Sequence, residues 1–206
     1  MIFYHLSSGL LHVNTYFLVN EETREAVCID GGENYNLIKR TEQEKGFTIK
    51  HLLLTHAHFD HVGNAPRLQA DGAKVYISEI DNEKLKNGET LGEDFGRHYP
   101  KFSADVLLHD GDKLTLSGIE IEVIATAGHT DGSMTFKVGG MLFTGDTLFL
   151  ESVGRTDFPT GDRDEIIRSV QKLFALAGDY DVYPGHEDFT TLSHERKYNM
   201  FSDVDV

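Results

Sequence analysis

One short stretch limits what this chain can fold into more than any other, namely Thr55-His56-Ala57-His58-Phe59-Asp60-His61. Its four potential metal ligands lie within six consecutive residues, between a short apolar strand predicted over residues 49–54 and a short helix predicted over residues 62–68. His56 and His58 are two positions apart, so an extended backbone directs both side chains to one side, toward one metal ion. Asp60 and His61 follow a turn and are predicted to face a second position nearby. A polar loop that merely contains histidines is the alternative interpretation of this stretch alone.

Composition favours one globular domain over residues 1–206, because 39% of the residues are hydrophobic and no apolar run is as long as a membrane span. The first residues lack the features of a signal peptide, and a single cysteine, Cys28, allows no internal disulfide, so a cytoplasmic location is expected. Cys28 lies in an apolar strand pattern and is predicted to be buried rather than reactive. The formal net charge of −15 disfavours binding to nucleic acid or to anionic membranes. Composition leaves the oligomeric state open.

Periodicity and turn residues predict strands and helices along the whole chain. Strands are predicted over residues 9–20, 25–29, 49–54, 73–77, 106–109, 112–116, 119–124, 134–138, 141–143 and 180–183. Helices are predicted over residues 34–45, 79–87, 163–177 and 193–198, and residues 148–162 are predicted to form a long loop. Asp162 is the predicted N-cap of the third of these helices. Each half of the chain runs from strands to a helix, a pattern compatible with a β-sandwich covered by helices.

Three further potential ligands follow glycines at predicted strand ends, in Gly128-His129, Gly145-Asp146 and Gly185-His186. Glycine allows a sharp turn at the end of a strand. Alone, each of these histidines is more often structural or exposed, but the histidine-rich stretch upstream changes that interpretation. The full set fits two metal ions, with Asp146 as a bridging carboxylate. His56, His58 and His129 would hold one ion, and Asp60, His61 and His186 the other.

Histidine-rich nitrogen and oxygen ligands suit zinc, and also iron or manganese. An open pair of divalent cations bridged by a carboxylate suits hydrolysis. The absence of cysteine from the ligand set excludes a structural zinc finger. A non-catalytic metal-binding scaffold would need an incomplete ligand set, whereas all seven positions are filled here.

These motifs together resemble the metallo-β-lactamase fold superfamily over nearly the whole chain. The resemblance rests on the strand pair at residues 13–29, Asp30-Gly31-Gly32, the stretch at residues 55–61, Thr126-Ala127-Gly128-His129-Thr130, the run at residues 143–149 and Tyr183-Pro184-Gly185-His186. It implies a mixed α/β (α+β) fold, an αββα sandwich with the metal ions at one edge of the two sheets, and it implies the same ligand roles.

Within the superfamily, the run Ser152-Val153-Gly154-Arg155-Thr156-Asp157-Phe158-Pro159 resembles small bacterial proteins related to glyoxalase II, the hydroxyacylglutathione hydrolase. That resemblance implies hydrolysis of a small-molecule thioester such as S-lactoylglutathione by two zinc ions. The same run also resembles persulfide dioxygenases, which use a single iron held by residues matching His56, His58 and Asp146 or His129. A phosphodiesterase or nuclease that uses the same metal ions is a third possibility, which the acidic charge disfavours.

Asp60 is the predicted catalytic residue, which orients the attacking water, and other residues are candidates for substrate binding. Arg155 is expected either to bind a substrate carboxylate or to pair with Asp157. Arg196 and Lys197 belong to a basic segment that is predicted either to bind substrate or to form a solvated helix face. Five further histidines are predicted to be structural or exposed, namely His5, His12, His51, His109 and His194.

Overall fold

The computed structural model describes residues 1–204, which form two six-stranded sheets packed face to face, with helices on both outer faces. The first sheet contains, in order, β1 (Ile2–Ser8), β2 (Val13–Val19), β3 (Glu25–Ile29), β4 (Thr48–Leu53), β5 (Lys74–Ser78) and β6 (Val106–Leu108). The second contains, in the order β14-β13-β10-β9-β8-β7, the strands β7 (Lys113–Leu116), β8 (Ile119–Ala125), β9 (Met134–Val138), β10 (Met141–Gly145), β13 (Asp181–Pro184) and β14 (Thr190–Thr191). A separate hairpin consists of β11 (Leu148–Phe149) and β12 (Ser152–Val153).

The helices divide between the two outer faces. They are α1 (Tyr35–Lys45), α2 (Phe59–Val62), α3 (Ala65–Ala70), α4 (Glu79–Asn87), α5 (Arg163–Phe174) and α6 (Leu192–Tyr198), with one 3₁₀ turn at Glu93–Phe95. Residues of the first four helices pack with the first sheet in one apolar cluster, and residues of α5 and α6 pack with the second sheet in another. This arrangement confirms the expected αββα sandwich.

The apolar core between the two sheets explains the sequence patterns of the strands. Strand β2 is buried along its whole length, and Phe17 contacts the helix-covered core whereas Leu18 contacts the core between the sheets. Strand β8 instead alternates, with Ile121 buried between the sheets and the neighbouring Glu120 exposed. A strand between two apolar layers reads as a continuous apolar run, and a strand with one solvated face alternates.

The helix ends follow local capping rules. The side chain of Asn34 accepts a hydrogen bond from the backbone N–H of Leu37 at the start of α1, and Gly46 ends the helix with φ of 65°. Asp162 caps α5 as predicted, since its carboxylate accepts from the backbone N–H groups of Asp164 and Glu165.

Some predicted boundaries differ from the structure. Helix α5 ends at Phe174 rather than at residue 177. Strand β1 was not predicted, because its residues are only partly buried at the sheet edge and their periodic pattern is weak. The predicted loop over residues 148–162 contains the β11–β12 hairpin. Within residues 1–204, no helix combines the length and the apolar composition needed to cross a membrane.

Cys28 is fully buried in β3, and burial raises the pKa of its thiol well above the usual range. We therefore expect native protein to react with Ellman's reagent at least about 100-fold more slowly than protein unfolded in urea. The chain has one cysteine, so unfolding should release a single titratable thiol. Rapid reaction of one thiol in the native protein would contradict the burial of this strand.

Candidate metal centre

The seven predicted ligands lie together at one edge of the sandwich. They follow the ends of β4, β8, β10 and β13, and all are buried except His186, whose side chain is 18% exposed. Their nitrogen and oxygen atoms form three overlapping groups in which all atoms lie within 4.8 Å of one another. These groups are His56, His58 and His129; His56, His61 and Asp146; and Asp60, His61 and His186.

The first group brings three imidazole nitrogens together. Nε2 of His56 lies 3.1 Å from Nδ1 of His58, and Nε2 of His129 lies 2.8 Å from the same atom. His58 therefore faces the group with Nδ1, whereas its two neighbours face it with Nε2. Burial lowers the pKa of His58 to about 3, assisted by the nearby His129, and burial also lowers the pKa of His56 well below its usual range. Neutral imidazoles have the lone pair that a metal ion requires.

The group of Asp60, His61 and His186, named the second group, combines a carboxylate with two imidazoles. Nε2 of His186 lies 3.2 Å from Oδ2 of Asp60 and 3.3 Å from Nε2 of His61. Burial alone would raise the pKa of Asp60, but the facing His61 and His186 hold that pKa below its usual range. Asp60 is therefore available as an anionic ligand at neutral pH.

Asp146 lies between the two groups. Its Oδ2 atom is 3.4 Å from Nε2 of His129 and 3.6 Å from Nε2 of His186, and its Oδ1 atom is 3.4 Å from Nε2 of His61. Burial would raise the pKa of Asp146, but the three surrounding histidines hold it well below its usual range. Oδ1 is buried and has no hydrogen-bond partner among residues 1–204. An unpartnered carboxylate oxygen facing imidazole nitrogens fits a divalent cation, so the donor set suits a metal ion held on each side of Asp146.

Four of the histidines are oriented by hydrogen bonds on the far side of the ring. In each of them Nδ1–H donates outward, which leaves Nε2 directed at the centre. The donor and acceptor pairs are His56 with Thr55 Oγ1 at 3.1 Å, His61 with Asp30 Oδ2 at 2.9 Å, His129 with the carbonyl of Arg155 at 2.7 Å, and His186 with the carbonyl of Leu11 at 3.0 Å.

Asp30 is a buried carboxylate for which the sequence predicted no role beyond its place in the motif Asp30-Gly31-Gly32. Its Oδ1 accepts from the backbone N–H of Thr55, and its Oδ2 accepts from the hydroxyl of Thr55 as well as from His61. The carboxylate thus fixes the start of the histidine-rich loop and the orientation of one ligand. Its φ of 55° is a left-handed conformation that suits the turn at the end of β3.

The glycines before the ligands act in two ways. Gly128 and Gly145 have φ of 136° and 51°, which favour glycine, as predicted. Gly185 lacks a positive φ, and its reason is space: a Cβ atom there would lie 2.2 Å from Oδ1 of Asp146 and 2.7 Å from Cε1 of His61. Gly154 is similarly confined, because its Cβ would lie 1.9 Å from the carbonyl oxygen of Asp146.

A cavity of about 580 Å³ opens onto the centre. Its walls are largely apolar, and Asp60, Asp146 and three of the histidine ligands form its floor. The other lining residues are Leu11, His12, Phe59, Leu91, Phe95, Phe149, Arg155, Phe158 and Glu187. Of these, His12 was predicted to be structural or exposed, and nothing in its local sequence places it at the cavity.

Arg155 pairs with Asp157, which is one of the two alternatives expected for it, and also lines the cavity; its binding of a substrate carboxylate stays a prediction. Its Nε and Nη2 atoms each donate to Asp157 at 2.6 Å, and its guanidinium lies 3.8 Å from the ring centroid of Phe158. The paired, stacked guanidinium is held in place at the cavity wall, where it is the one lysine or arginine side chain among the described lining residues.

Arg196 and Lys197 do not line this cavity, so the geometry does not support the predicted substrate-binding role. The Arg196 guanidinium donates to the carbonyl of Phe174 at 2.8 Å, to that of Gly178 at 2.7 Å, and to that of Leu176. It therefore binds the carbonyl groups left free where α5 ends. Lys197 is exposed and lies beside the ring of Tyr198.

Replacing Arg196 with alanine is expected to lower the free energy of unfolding by about 1–3 kcal/mol, because the carbonyl groups after α5 lose their donor. For the thioester hydrolysis expected from the sequence, kcat/KM should stay within about twofold of wild type, since Arg196 does not line the cavity. Urea unfolding and steady-state kinetics check the two parts. A large rise in KM at unchanged stability would restore the substrate-binding interpretation.

Comparison with known proteins identifies the family. The sequence pattern of the metallo-beta-lactamase superfamily matches residues 8–186. The hydroxyacylglutathione hydrolase GloC of Haemophilus influenzae is 37% identical over 201 residues, which cover 91% of this chain and 92% of that protein.

Solved structures agree with this match. BLEG-1, a B3 metallo-beta-lactamase, has a TM-score of 0.91 and 31% identity, covering 98% of this chain and all of that one. TTHA1623, in a di-iron-bound form, has a TM-score of 0.85 and 33% identity, with coverage of 96% and 99%. ETHE1 from Myxococcus xanthus has a TM-score of 0.79 and 30% identity, with coverage of 97% and 84%. With the sandwich fold and the histidine and aspartate cluster at its edge, these matches show that the chain belongs to the metallo-β-lactamase superfamily.

Proposed function

We propose that this chain is a metal-dependent hydrolase that holds two divalent cations and cleaves small hydroxyacyl thioesters such as S-lactoylglutathione. The observation that carries the proposal is the position of Asp146, whose two oxygens face two complete groups of ligands. Its unpartnered Oδ1 is the atom that a second cation would satisfy. Two cations held in this way would acidify a water molecule and polarise a carbonyl oxygen.

The residues that line the cavity would orient the attacking water and the substrate and would give the site an apolar lining. Asp60 lies in the cavity floor, where its carboxylate can accept a hydrogen bond from water and direct that water toward a substrate carbonyl. Phe95, Phe149 and Phe158 exclude bulk water from the surrounding volume. Arg155 presents the cation that suits a carboxylate on the substrate.

The choice of a thioester rests on likeness to a relative. GloC of Haemophilus influenzae is described as a hydroxyacylglutathione hydrolase, and the chain matches over nine-tenths of that protein. We propose zinc as the metal because nitrogen and carboxylate ligands at a hydrolytic site suit it. The di-iron form of TTHA1623 makes iron the main competitor, and manganese is a further candidate.

A persulfide dioxygenase with a single iron is the second candidate function, favoured by the structural likeness to ETHE1. A single cation would need the group His56, His58 and His129, or Asp146 with two of these histidines. It would leave Asp60, His61 and His186 without a metal ion, although their donor atoms converge. The identity of 37% with GloC, against 30% with ETHE1, favours the hydrolase.

Metal removal tests the proposal directly. Dialysis against a strong chelator is expected to lower S-lactoylglutathione hydrolysis at least about 100-fold, and about two equivalents of zinc should restore it. Metal analysis of the protein as purified gives the native ions, and circular dichroism verifies that the apo-protein remains folded.

Other results would redirect the assignment. One iron per chain with oxygen uptake on glutathione persulfide and no thioester hydrolysis would establish the dioxygenase. Two metal ions with cleavage of bis(p-nitrophenyl) phosphate, but of no thioester, would indicate a phosphodiesterase instead.

A further inference from the structure

Asp81 is a fully buried carboxylate outside the group of proposed ligands. It lies in the first turn of α4, where Ser78 caps the helix by accepting from the backbone N–H of Asp81. Burying a carboxylate is costly unless hydrogen bonds satisfy it. The partners of this side chain therefore indicate why the position is acidic.

Those partners belong to the two loops that hold the three-histidine group. Oδ2 of Asp81 accepts a hydrogen bond from the backbone N–H of Ala57 at 2.8 Å and another from the hydroxyl of Thr130 at 3.0 Å. Ala57 stands between His56 and His58, and Thr130 follows His129. One carboxylate oxygen thus bonds both loops from which these three ligands come.

The surroundings of Asp81 are arranged to keep this geometry. Lys84, one turn later in α4, donates to Oδ1 and compensates the buried charge, and it also pairs with Asp131 at the surface. A Cβ atom at Gly132 would lie 2.3 Å from Oδ1 of Asp81, so the loop after His129 approaches the carboxylate as closely as glycine allows. Ser133 bonds Thr130 and holds its hydroxyl in place.

We propose that Asp81 is a positioning residue that sets the geometry of the His56, His58 and His129 group and thereby mainly the metal affinity of that group. The inference rests on the two-metal centre proposed above. Asp81 makes no hydrogen bond to Asp60, His61 or His186, and the hydrogen bonds that orient His61 and His186 come from Asp30 and Leu11. Asp30 supports both groups, because it bonds His61 directly and Thr55 links it to His56, whereas outside its own helix Asp81 bonds Ala57 and Thr130, which adjoin the three histidines. A change at Asp81 should therefore act mainly on the three-histidine group.

The experiment compares Asp81→Asn in two backgrounds. In His186→Ala protein the second group lacks a ligand, and the metal bound is held mainly by the three histidines. In His58→Ala protein the three-histidine group lacks a ligand instead. Cobalt(II) titration with a competing chelator gives the dissociation constant in each background, and the visible cobalt spectrum reports the ligand geometry. Urea unfolding of the apo-proteins measures stability separately.

Asp81→Asn is expected to weaken cobalt binding about 10–100-fold in the His186→Ala background and less than about threefold in the His58→Ala background. Glu83→Gln is the control on the same helix, because Glu83 is exposed and pairs with Lys86 instead of with either loop. It should leave both constants unchanged. If Asp81→Asn fails to fold, Thr130→Val takes its place, because it removes one donor to Asp81 and preserves the shape of the side chain. It should weaken cobalt binding in the His186→Ala background by a smaller factor.

Equal weakening in both backgrounds, in step with lost apo-protein stability, would overturn the inference and leave Asp81 a general structural residue. Unchanged binding in the His186→Ala background would overturn it as well. Neither result affects the proposed function, which is tested separately by the metal content and the thioester hydrolysis of the protein without substitutions.

Discussion

Replacing Asp146 with asparagine is expected to lower kcat/KM for thioester hydrolysis about 10³-fold, which corresponds to about 4 kcal/mol of lost transition-state stabilisation. Asparagine preserves the size of the side chain but removes the charge that faces three histidines, and its NH₂ group cannot bind a cation. We therefore expect the protein to lose at least one metal ion per chain as well. Steady-state kinetics and metal analysis measure the two effects on the same preparation.

Asp181→Asn provides the control for this change, because Asp181 is an exposed aspartate in β13, the strand that leads to His186. It should leave both kcat/KM and metal content unchanged. Wild-type metal content in Asp146→Asn, with kcat/KM reduced less than about tenfold, would contradict a bridging role for this carboxylate.

The meeting of the seven candidate ligands could be predicted from sequence because their signal is local. His56 and His58 alternate along an extended segment, and each later ligand follows a glycine at a strand end. The fold brings these strand ends to one edge, so residues that are distant in sequence meet there. These residues can therefore be recognised from the predicted order of strands and helices, without knowledge of the tertiary contacts.

The supporting residues could not be predicted in the same way. Asp30 and Asp81 are buried carboxylates, but in sequence they resemble the many exposed acidic residues of a chain with a net charge of −15. Their function depends on backbone N–H groups that approach them only after folding. The structural role of Arg196 could not be predicted either, because the carbonyl groups that accept its hydrogen bonds lie around the end of α5, remote in sequence.

The end of a helix and the edge strand of a sheet were also difficult to predict from the sequence. The early end of α5 is fixed by the turn that follows it and by the side chain of Arg196, neither of which alters the apolar periodicity of the helix. Strand β1 pairs with β2 through seven residues, but its partial burial gives it no clear alternation. Both features depend on contacts with other parts of the chain.

Gly185 precedes His186 and is required for space, whereas Gly128 and Gly145 have a positive φ that favours glycine. Gly185→Ala is expected to lower kcat/KM about 100-fold, because the added methyl group must displace Asp146 or His61 and a shift of about 1 Å in a reacting geometry has that effect. The backbone at Gly185 has no positive φ, so alanine should cost the apo-protein only about 1–3 kcal/mol of stability from crowding.

Gly140→Ala is the matched control for Gly185→Ala. It also lacks a positive φ, and a Cβ atom there would meet no atom within 4 Å, so both kinetics and stability should match wild type. Metal titration of Gly185→Ala should show weakened binding in a protein that still unfolds cooperatively. If Gly185→Ala instead binds two metal ions and hydrolyses substrate normally, Asp146 and His61 have room to move without loss of function, and the close packing around the bridge is not required for catalysis.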